Sequence, residues 1–570
     1  MNSTTAFHPS APRRSAELAA RQRLLNSYLR EAGRTITVTG DGLVRVTLLA
    51  QDCAIVVELR HRCGFGQHIY GDELWLERAG FPRTRIDHDE LVSLLLDEVV
   101  AVAAQAISDP GDGARQKIEL AEQIESSIAA TTRYLRRDRP PPPREPRALT
   151  RHAEQSMVYG HPFHPTPKSS QGFGDDLARY APELGATFTP HWLAINPSLV
   201  LERRVASGPW VPDEVAERAR ARLASARGDY PLLPVHPWQA AYLAGQPRVT
   251  ELTRDGKLVP LGPLGSAAYP TSSVRTVCDP AFATSWKLPL HVRITNFIRN
   301  NPLPHLVRAT DASALVAALA PDWPHEGFGV LIETGFRTVD PAAVGDDLAA
   351  DFSVLYRGNP FADGHAAPRV VAGLLEDSGC GVPDLIHEVR RAAGTPDSTP
   401  PATHIAEWLR RYLRISLVPL LEVFGSDGVS FEAHVQNSLL HTENGWPARF
   451  WVRDMEGTSV SRTRLRRRVV SEDSPLLYDD EDAWLRLRYH AVTNHLGHLV
   501  HVLGHYGQVD ESILWRTVRE LLAEAACEPA EDLLGTPVLP AKANLVSRFA
   551  GRGENPIYVD VPNPLFEGSR

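Results

Sequence analysis

The feature that most constrains the fold of this chain is a run of alternating apolar and polar residues from Lys287 to Thr295. Alternation with a period of two predicts a β-strand with one apolar and one polar face. The apolar face holds Leu288, Leu290, Val292 and Ile294. The polar face holds Lys287, His291, Arg293 and Thr295. One side of the strand is therefore expected to pack in a core, while the other presents cations and hydroxyls.

The stretch around this strand, residues 272–301, is basic. In its first part, SSVRT, the same period predicts a second strand with Ser273 and Arg275 on one side. Its cations are Arg275, Lys287, Arg293 and Arg299, and its one acid is Asp279. A basic sheet edge that prevents aggregation is one interpretation. Arginine and lysine also match phosphate and carboxylate oxygens, so the two strands predict a site for a polyphosphate and a carboxylate.

The bulk composition restricts the classes of protein to which the chain can belong. A length of 570 residues predicts two or three domains, and a net charge of −9 argues against a general nucleic-acid binder. The most apolar window, residues 91–107, is interrupted by Asp97 and Glu98, and the N-terminus has no apolar run. The 5 cysteines are far apart without a CxxC pair, which is typical of a reducing compartment. We expect a cytoplasmic protein that binds neither nucleic acid nor membrane.

Helical and strand patterns predict an α+β protein in three regions. Residues 1–150 read as a helix, a set of strands and two more helices, closed by the proline-rich linker RPPPPREPR. Residues 151–400 contain the basic stretch. Residues 401–570 begin with a helix, continue with two strands around the turn ENG, and end in helices.

A proline-rich segment, GHPFHPTPKSSQGF at residues 160–173, carries the next candidate residues. The chain has no GxxxxGK[ST] or GxGxxG motif, so a nucleotide must be held by other means. The prolines keep this backbone extended and the glycines allow close approach, so His164 and Lys168 can reach a phosphate. The prolines also prevent the helical face that a histidine pair needs for a metal.

Acidic and amide side chains flank the predicted hairpin. Glu432 and Asn437 precede it, and Asp454 and Glu456 are expected on its second strand. Such oxygens are the ligands that Mg²⁺ prefers. The order of Asn, hairpin and Asp is also that of kinase-like phosphotransferases. Caps and hairpin polarity are the structural alternative, but together with the basic stretch this pattern predicts a Mg·ATP site.

Two further clusters have a structural explanation as well as a functional one. Three histidines share a predicted helix face, and a packed face is a commoner outcome than a zinc site: His498, His501 and His505. A basic cluster near the C-terminus fits a solvated tail as well as a substrate contact: Lys542, Asn544 and Arg548.

Five motifs in one order resemble the NRPS-independent siderophore synthetases, the aerobactin-synthetase-like family. The motifs are GHPFHPTPKSSQGF, SSVRTV, KLPLHVRITNFIRN, FEAHVQNSLL and VRDMEG. The resemblance runs from about residue 150 to the C-terminus. It implies a homodimer with a thumb, fingers and palm architecture of antiparallel sheets and helices. Residues 1–150 would then form the thumb, 151–400 the ATP-binding fingers, and 401–570 the palm.

The resemblance also implies an activity. ATP would adenylate a carboxylate, commonly of citrate, with release of pyrophosphate, and an amine or hydroxyl would then displace AMP. Carried over by position, the nucleotide would contact His164, Lys168, Ser169, Ser273, Arg275, Thr276 and Lys287. The carboxylate substrate would contact Thr295, Arg299, His434 and Lys542. Mg²⁺ would bind Glu432, Asn437 and Asp454, and the catalytic residues would be Lys287, Arg299 and His434.

One position departs from the family pattern. Many members have an arginine where this chain has Ser170, which leaves the role of that position open. The PTPKS form and YAPELGA at residues 180–186 are similar to the citrate-using, achromobactin-type subgroup. The nucleophile can be a diamine, an amino acid such as serine or diaminopropionate, or a hydroxamate-bearing amine.

Two alternatives come from other classes of protein. A kinase-like phosphotransferase would use Asn437 and Asp454 for its metal and release ADP. A non-catalytic binder of citrate or ferric siderophore would work without ATP, which does not explain the dense cations. An iron reductase is set aside because the required cysteine cluster is missing.

Overall fold

The structure is a computed structural model, and it describes most of the chain. Thr295, one of the predicted substrate contacts, lies outside the described part. The described residues are 11–32, 36–40, 42–103, 110–138, 141–171, 176–224, 227–294, 297–359, 366–377, 381–467, 469–552 and 555–567.

The N-terminal region is an antiparallel sheet covered by helices, as its sequence patterns predict. Its five strands pair in chain order, each with the next. Its elements are α1 (Ala11–Glu31), β1 (Thr37–Val38), β2 (Leu43–Leu48), β3 (Cys53–His61), β4 (Ile69–Arg78), β5 (Thr84–Ile86), α2 (His88–Ala103) and α3 (Pro110–Leu135).

The middle region contains several sheets linked by short helices. Its first half comprises α4 (Pro146–Gln155), β6 (Ser170–Gln171), α5 (Leu177–Tyr180), β7 (His191–Ile195), β8 (Val200–Arg204), α6 (Asp213–Arg222), β9 (Leu232–Val235), α7 (Pro237–Ala244), α8 (Pro247–Arg254), β10 (Leu258–Pro263), β11 (Tyr269–Pro270) and β12 (Thr276–Cys278). Its second half comprises β13 (Thr284–Lys287), β14 (Leu290–Ile294), β15 (Phe297–Arg299), α9 (Leu303–Leu319), β16 (Phe328–Leu331), β17 (Glu333–Val339), α10 (Pro341–Val344), α11 (Asp346–Ala350), β18 (Val354–Gly358), β19 (Arg369–Val370), α12 (Val371–Leu375) and α13 (Asp384–Ala392).

The C-terminal region begins with paired helices and the predicted hairpin, which is confirmed. Its elements are α14 (Ala402–Ile415), α15 (Leu417–Asp427), β20 (Val429–Ser430), β21 (Ser438–Glu443), β22 (Trp446–Arg453), β23 (Ser459–Ser461), β24 (Leu477–Tyr478), α16 (Asp480–Leu487), a π-helix (Arg488–Leu496), α17 (Gly497–Gly507), α18 (Glu511–Ala525), α19 (Glu528–Gly535), β25 (Val538–Lys542), α20 (Asn544–Phe549) and β26 (Tyr558–Pro562).

The sheets of the last two regions bring distant segments together. A six-stranded sheet has the order β11-β12-β13-β18-β17-β8, and a three-stranded sheet the order β15-β14-β6. A four-stranded sheet joins both regions in the order β16-β22-β21-β19, with β16 parallel to β22. The predicted α+β class with antiparallel sheets is therefore confirmed, with parallel pairs at β16/β22 and β23/β24.

The N-terminal core is completed by the C-terminal helix α20. Leu545 and Phe549 of this helix are buried in the same apolar cluster as Leu24 and Leu95. The carboxylate of Glu31 accepts the backbone N–H groups of residues 545 and 546 at 2.9 and 2.7 Å. Helix α20 therefore packs against the N-terminal sheet, and the thumb boundary near residue 150 remains a prediction.

Three local predictions are wrong. The strand expected from Lys287 to Thr295 is broken, since Lys287 ends β13 and the next strand begins at Leu290. The SSVRT segment is a turn, with Val274 at a φ of 66°, and its strand begins only at Thr276. The helix predicted from residue 404 to 424 is two helices, separated at Ser416 where φ is −123° and ψ is −78°.

No helix in the described ranges combines the length and apolar character that crossing a membrane would require.

Candidate active site

The site is centred on the acidic turn, defined here as residues 454–457 directly after β22. Asp454 has φ 73° and ψ 73°, a left-handed conformation that is strained for a residue with a side chain. Glu333 accepts the backbone N–H of Met455 at 3.2 Å, and Arg308 donates to the backbone oxygen of Glu456 at 2.7 Å. These contacts hold the turn in place. The sequence predicted Asp454 and Glu456 on the second strand of the hairpin, and this is wrong, because β22 ends at Arg453.

Lys287 lies between the two acids of this turn. Its Nζ donates to Oδ1 of Asp454 at 2.6 Å and to Oε2 of Glu456 at 2.8 Å. Lys287 is 3% exposed, because β13 is an inner strand that pairs with β12 and β18. A buried lysine is stable only when paired, and here two carboxylates share one ammonium.

A second cation contacts the acidic turn from β18. Arg357 makes a hydrogen-bonded pair with Glu333 at 2.7 Å and lies 3.4 Å from Oδ1 of Asp454. Burial by itself raises the pKa of Asp454, but the charges of Lys287 and Arg357 outweigh burial and leave this pKa below its usual value. The pKa of Glu456 is well below its usual value, since Lys287 outweighs burial there too. Both acids are ionised at neutral pH.

The turn of residues 271–276 brings the predicted hydroxyls and a further cation beside Lys287. Thr276 pairs with Lys287 across β12 and β13, and its backbone N–H donates to Oγ of Ser273 at 3.1 Å. Arg275 donates to the backbone oxygens of Arg299 and Asn300 at 3.2 and 3.0 Å. The predicted nucleotide residues Ser273, Arg275, Thr276 and Lys287 therefore form one group, although by a turn and not by a strand face.

Arg299 is the last residue of β15, and its backbone oxygen accepts the hydrogen bond from Arg275. Its guanidinium donates to the backbone oxygen of Ile294 at 3.1 Å. Burial lowers its pKa to about 10, so the side chain is still a cation at neutral pH. Asp454 and Glu456 raise this pKa, against burial and the like charge of Arg275.

The third group of the site surrounds Glu432. Nε2 of His490 lies 3.1 Å from the Glu432 carboxylate, and Nζ of Lys542 lies 3.5 Å from the same nitrogen. Asn437 donates to the backbone oxygen of Glu432 at 3.2 Å. An ideal Cβ placed on Gly457 would lie 2.0 Å from a carboxylate oxygen of Glu432, so only glycine lets the acidic turn pack against this acid. The three predicted metal ligands thus belong to adjoining segments.

The protonation states of this group follow from burial and charge. Burial by itself raises the pKa of Glu432, but His490, His434 and Lys542 outweigh it and lower the net value. Burial lowers the pKa of His490 to about 4, so at neutral pH a neutral imidazole donates to an ionised carboxylate. Burial also lowers the pKa of His434, whose Nε2 lies 3.9 Å from Glu432.

Residues 160–169 of the proline-rich segment form a tightly bonded turn that leads into β6. Lys168 donates to Glu183 at 2.6 Å and to the backbone oxygen of Met157 at 2.7 Å. Nδ1 of His164 accepts the N–H of Thr166 at 3.1 Å, and burial lowers the pKa of His164 to about 3. Ser169 is buried. Arg299 also contributes to the pKa of His164, but the nucleotide contacts predicted in this segment remain predictions.

Three site residues lack a signal in the sequence. Arg357 stands in a short strand of otherwise uncharged residues, and Glu333 begins a strand that is buried along its whole length, so neither belongs to a polar motif. His490 lies on the π-helix, a rare helix type that often occurs at functional sites.

Comparison with known proteins places the chain in a class. Residues 149–376 match the model of the IucA / IucC family, and residues 406–557 match that of the ferric iron reductase FhuF-like transporter. The second segment contains a single cysteine, Cys527, whereas a cysteine-bound iron–sulfur cluster requires several.

Full-length relatives agree with the first match. The L-2,3-diaminopropanoate--citrate ligase of Staphylococcus aureus is 34% identical, over 96% of this chain and 96% of that protein. The spermidine-citrate ligase of Bacillus anthracis is 28% identical over 96% and 98%. The fold is that of the ATP-bound aerobactin synthetase IucA from Klebsiella pneumoniae, with a TM-score of 0.82 at 23% identity over 96% and 100%.

These matches define an enzyme of the ligase class that serves siderophore biosynthesis. The chain belongs to the IucA / IucC family, and the family resemblance found in the sequence is confirmed.

Proposed function

We propose that the chain joins a citrate carboxylate to an amine or alcohol at the expense of ATP, releasing AMP and pyrophosphate. The observation that carries this proposal is the cluster in which the buried side chains of Lys287 and Arg357 contact the ionised acidic turn beside Arg275 and Arg299. The family supports the same conclusion, since its named relatives include citrate ligases.

The reaction has two steps whose charges suit this cluster. A carboxylate oxygen attacks the α-phosphorus of ATP, and the bond to pyrophosphate breaks. The nucleophile then attacks the acyl carbon, the bond to AMP breaks, and the nucleophile loses its proton. Negative charge grows on phosphate oxygens in the first step, so preorganised cations such as Arg275, Lys287 and Arg299 stabilise its transition state.

The donors at the acidic turn fit Mg²⁺. Asp454 and Glu432 offer carboxylate oxygens. Asn437 uses its amide nitrogen to donate a hydrogen bond, which leaves its amide oxygen available as a metal ligand. These are hard ligands, and one or two carboxylates are the usual protein share of a magnesium site between phosphates. When bound, the ion would neutralise phosphate charge.

The carboxylate substrate is assigned to the space between Arg299, His434 and Lys542. Arg299 and Lys542 supply charge, and the lowered pKa of His434 makes it a neutral hydrogen-bond partner at pH 7. His434 is proposed to orient the carboxylate through a hydrogen bond. Thr295 was predicted for the same role from the family motif.

The remaining nucleotide contacts are proposed from the family motif and the geometry around it. Ser273 and Thr276 adjoin Lys287, so their hydroxyls suit phosphate oxygens. His164, Lys168 and Ser169 are proposed on the opposite side of the nucleotide. Lys168 would exchange its bond to Glu183 for a phosphate oxygen, which is the chemically preferred partner for an ammonium near a triphosphate.

The subunit arrangement and the location of the enzyme are also proposals. The family supports a homodimer of thumb, fingers and palm, with boundaries near residues 150 and 400. The cytoplasm is proposed because ATP is available there and the cysteines are unpaired in the described residues.

The nucleophile is proposed to be a primary amine of the diaminopropanoate type, because the full-length relative that uses this amine is 34% identical. The test measures pyrophosphate, AMP and ADP with Mg·ATP and citrate, α-ketoglutarate or succinate, with hydroxylamine as surrogate nucleophile. Citrate-dependent AMP and pyrophosphate release is expected, followed by a screen of diaminopropanoate, spermidine and serine. Release of ADP would instead support a phosphotransferase, and no turnover with any acid would refute the ligase.

A further inference from the structure

A second cluster of ligand-type side chains lies away from the acidic turn, where three elements from the two ends of the chain meet. It consists of His61 at the end of β3, His501 on α17, and Glu511 at the start of α18. One potential ligand atom from each residue lies within 4.8 Å of the other two. Among the residues that the structure describes, this is the one such group of histidine, cysteine and acidic side chains.

Hydrogen bonds and close packing fix the orientation of the side chains in this cluster. Nε2 of His61 lies 3.3 Å from Oε1 of Glu511, and the other carboxylate oxygen accepts the N–H of Gly64 at 2.8 Å. The Gly64 bond fixes the carboxylate in the way that outer hydrogen bonds orient metal ligands. Gly504 lets α17 approach closely, since an ideal Cβ there would lie 2.9 Å from Glu511.

His501 provides an independent observation. This residue is 5% exposed, and its Nδ1 is buried without a hydrogen-bond partner among the described residues. A buried imidazole nitrogen without a partner is costly, so such an atom requires an explanation. A metal ion is the ligand that a histidine pair and a carboxylate share.

The site also has a route for entry. Gly64 and Glu511 lie in the wall of an open cleft of about 1570 Å³ that also contains Trp515. An ion can therefore reach the carboxylate from solvent, as a metal site requires.

We propose that His61, His501 and Glu511 bind a divalent transition metal of the Zn²⁺ type. Two imidazole nitrogens and one carboxylate favour Zn²⁺ over Mg²⁺, which prefers an all-oxygen shell. The ion would join the N-terminal sheet to the C-terminal helices, so its role is to stabilise the packing of these regions. This site is independent of the proposed reaction.

The experiment uses the full chain, free of any affinity tag and stripped by a chelator, with Zn²⁺ alone as the probe. Calorimetric titration and metal analysis are expected to give about one Zn²⁺ per chain, with a rise in Tm on binding. Glu511→Gln and His61→Ala are expected to weaken the binding by at least about 100-fold, since even the loss of an outer partner costs about 10–100-fold.

The matched control is His498→Ala, which removes a histidine from the same helix face but outside the group. Its Nδ1 contacts Gln67 at 2.9 Å, so Zn²⁺ binding should be unchanged. X-ray absorption of the wild-type complex keeps the test decisive if a variant fails to fold, because two imidazole ligands at about 2.0–2.1 Å are expected. Absent binding, a spectrum without imidazole, or equal binding by all folded variants would overturn the proposal.

Discussion

Two charge clusters meet at adjacent residues of the chain, Arg453 and Asp454, and differ in how their charges are matched. Arg453, the last residue of β22, makes a paired contact with Glu154 of α4, one arm of which is 3.2 Å long. Glu154 also accepts the backbone N–H of Ser272 at 2.9 Å. The next residue, Asp454, contacts two cations, Lys287 and Arg357. Lys287 also contacts Glu456.

The difference separates a structural ion pair from a binding site. Glu154 and Arg453 pair with one another and form hydrogen bonds with the surrounding backbone. The pair therefore links α4 to the hairpin and is not arranged to bind a ligand. In the acidic turn the cations are shared, since Lys287 contacts both acids and Arg357 contacts Glu333 as well as Asp454, and such a group can exchange a partner for a ligand. A shared, strained arrangement is therefore a better indicator of function than burial or charge alone.

The largest effect is expected from Arg453→Ala. Removing one partner leaves Glu154 buried and unpaired, which costs about 3–5 kcal/mol of unfolding free energy. Urea unfolding measures this loss. A double substitution, Glu154→Leu with Arg453→Met, serves as control and should lose less, because no charge remains buried. A single variant as stable as wild type would contradict the structural role of this pair.

Asp454→Asn tests the other cluster. Citrate-dependent pyrophosphate release is expected to fall by about 10²–10³-fold, with a higher Mg²⁺ requirement and little change in Tm, because the lost charge serves the ligand. Steady-state rates across Mg²⁺ concentrations measure this. Asp480→Asn is the matched control, since that acid pairs with Arg464 at 2.7 Å outside the site. Wild-type metal dependence of Asp454→Asn would remove it from the metal site.

Arg299→Ala should lower carboxylate-dependent pyrophosphate release by about 100-fold while the chain remains folded, because a transition-state cation is lost. Circular dichroism and the rate of release together measure both effects. Arg248→Ala, on the surface of α8 with a bond to Glu251, is the comparison variant. Unchanged activity would show that Arg299 does not contact the reacting groups.

A pH series sharpens the comparison through Glu154→Gln. Burial by itself raises the pKa of Glu154, but Arg453 outweighs it, so the folded pKa lies below the unfolded value. The pair therefore stabilises the fold above the ordinary glutamate pKa, and this stabilisation declines as the pH falls through it. The stability gap between wild type and variant should shrink by at most about 1.4 kcal/mol per pH unit below about pH 4.3. A gap that widens in acid would reverse the assignment.

The smallest effect is expected from His498→Ala. This histidine bonds to Gln67 and contacts neither the acidic turn nor the Glu432 group, so kcat/KM should stay at the wild-type value. A variant that is folded but inactive would extend the active site to this helix face.

The sequence supplied most residues of the candidate site but not their arrangement. The hairpin and the N-terminal sheet follow from local periodicity and turn residues, and both predictions are confirmed. The family was identified by the resemblance of five motifs in one order, and it is confirmed too. The prediction of one basic strand was wrong, because Lys287 and Arg293 lie in different sheets and do not share a face. Alternation reports which side chains are buried but not where a strand ends.

What the sequence determined by itself was the chemistry: the family, the cations of residues 272–301 and the acids around the hairpin. Tertiary structure alone decided how they meet. Arg357 and Glu333 were indistinguishable from core-strand residues, and His61 and His501 stand 440 positions apart in the numbering, in β3 and α17. Charge pairing in a low-dielectric interior depends on distances between such segments, which no local pattern contains.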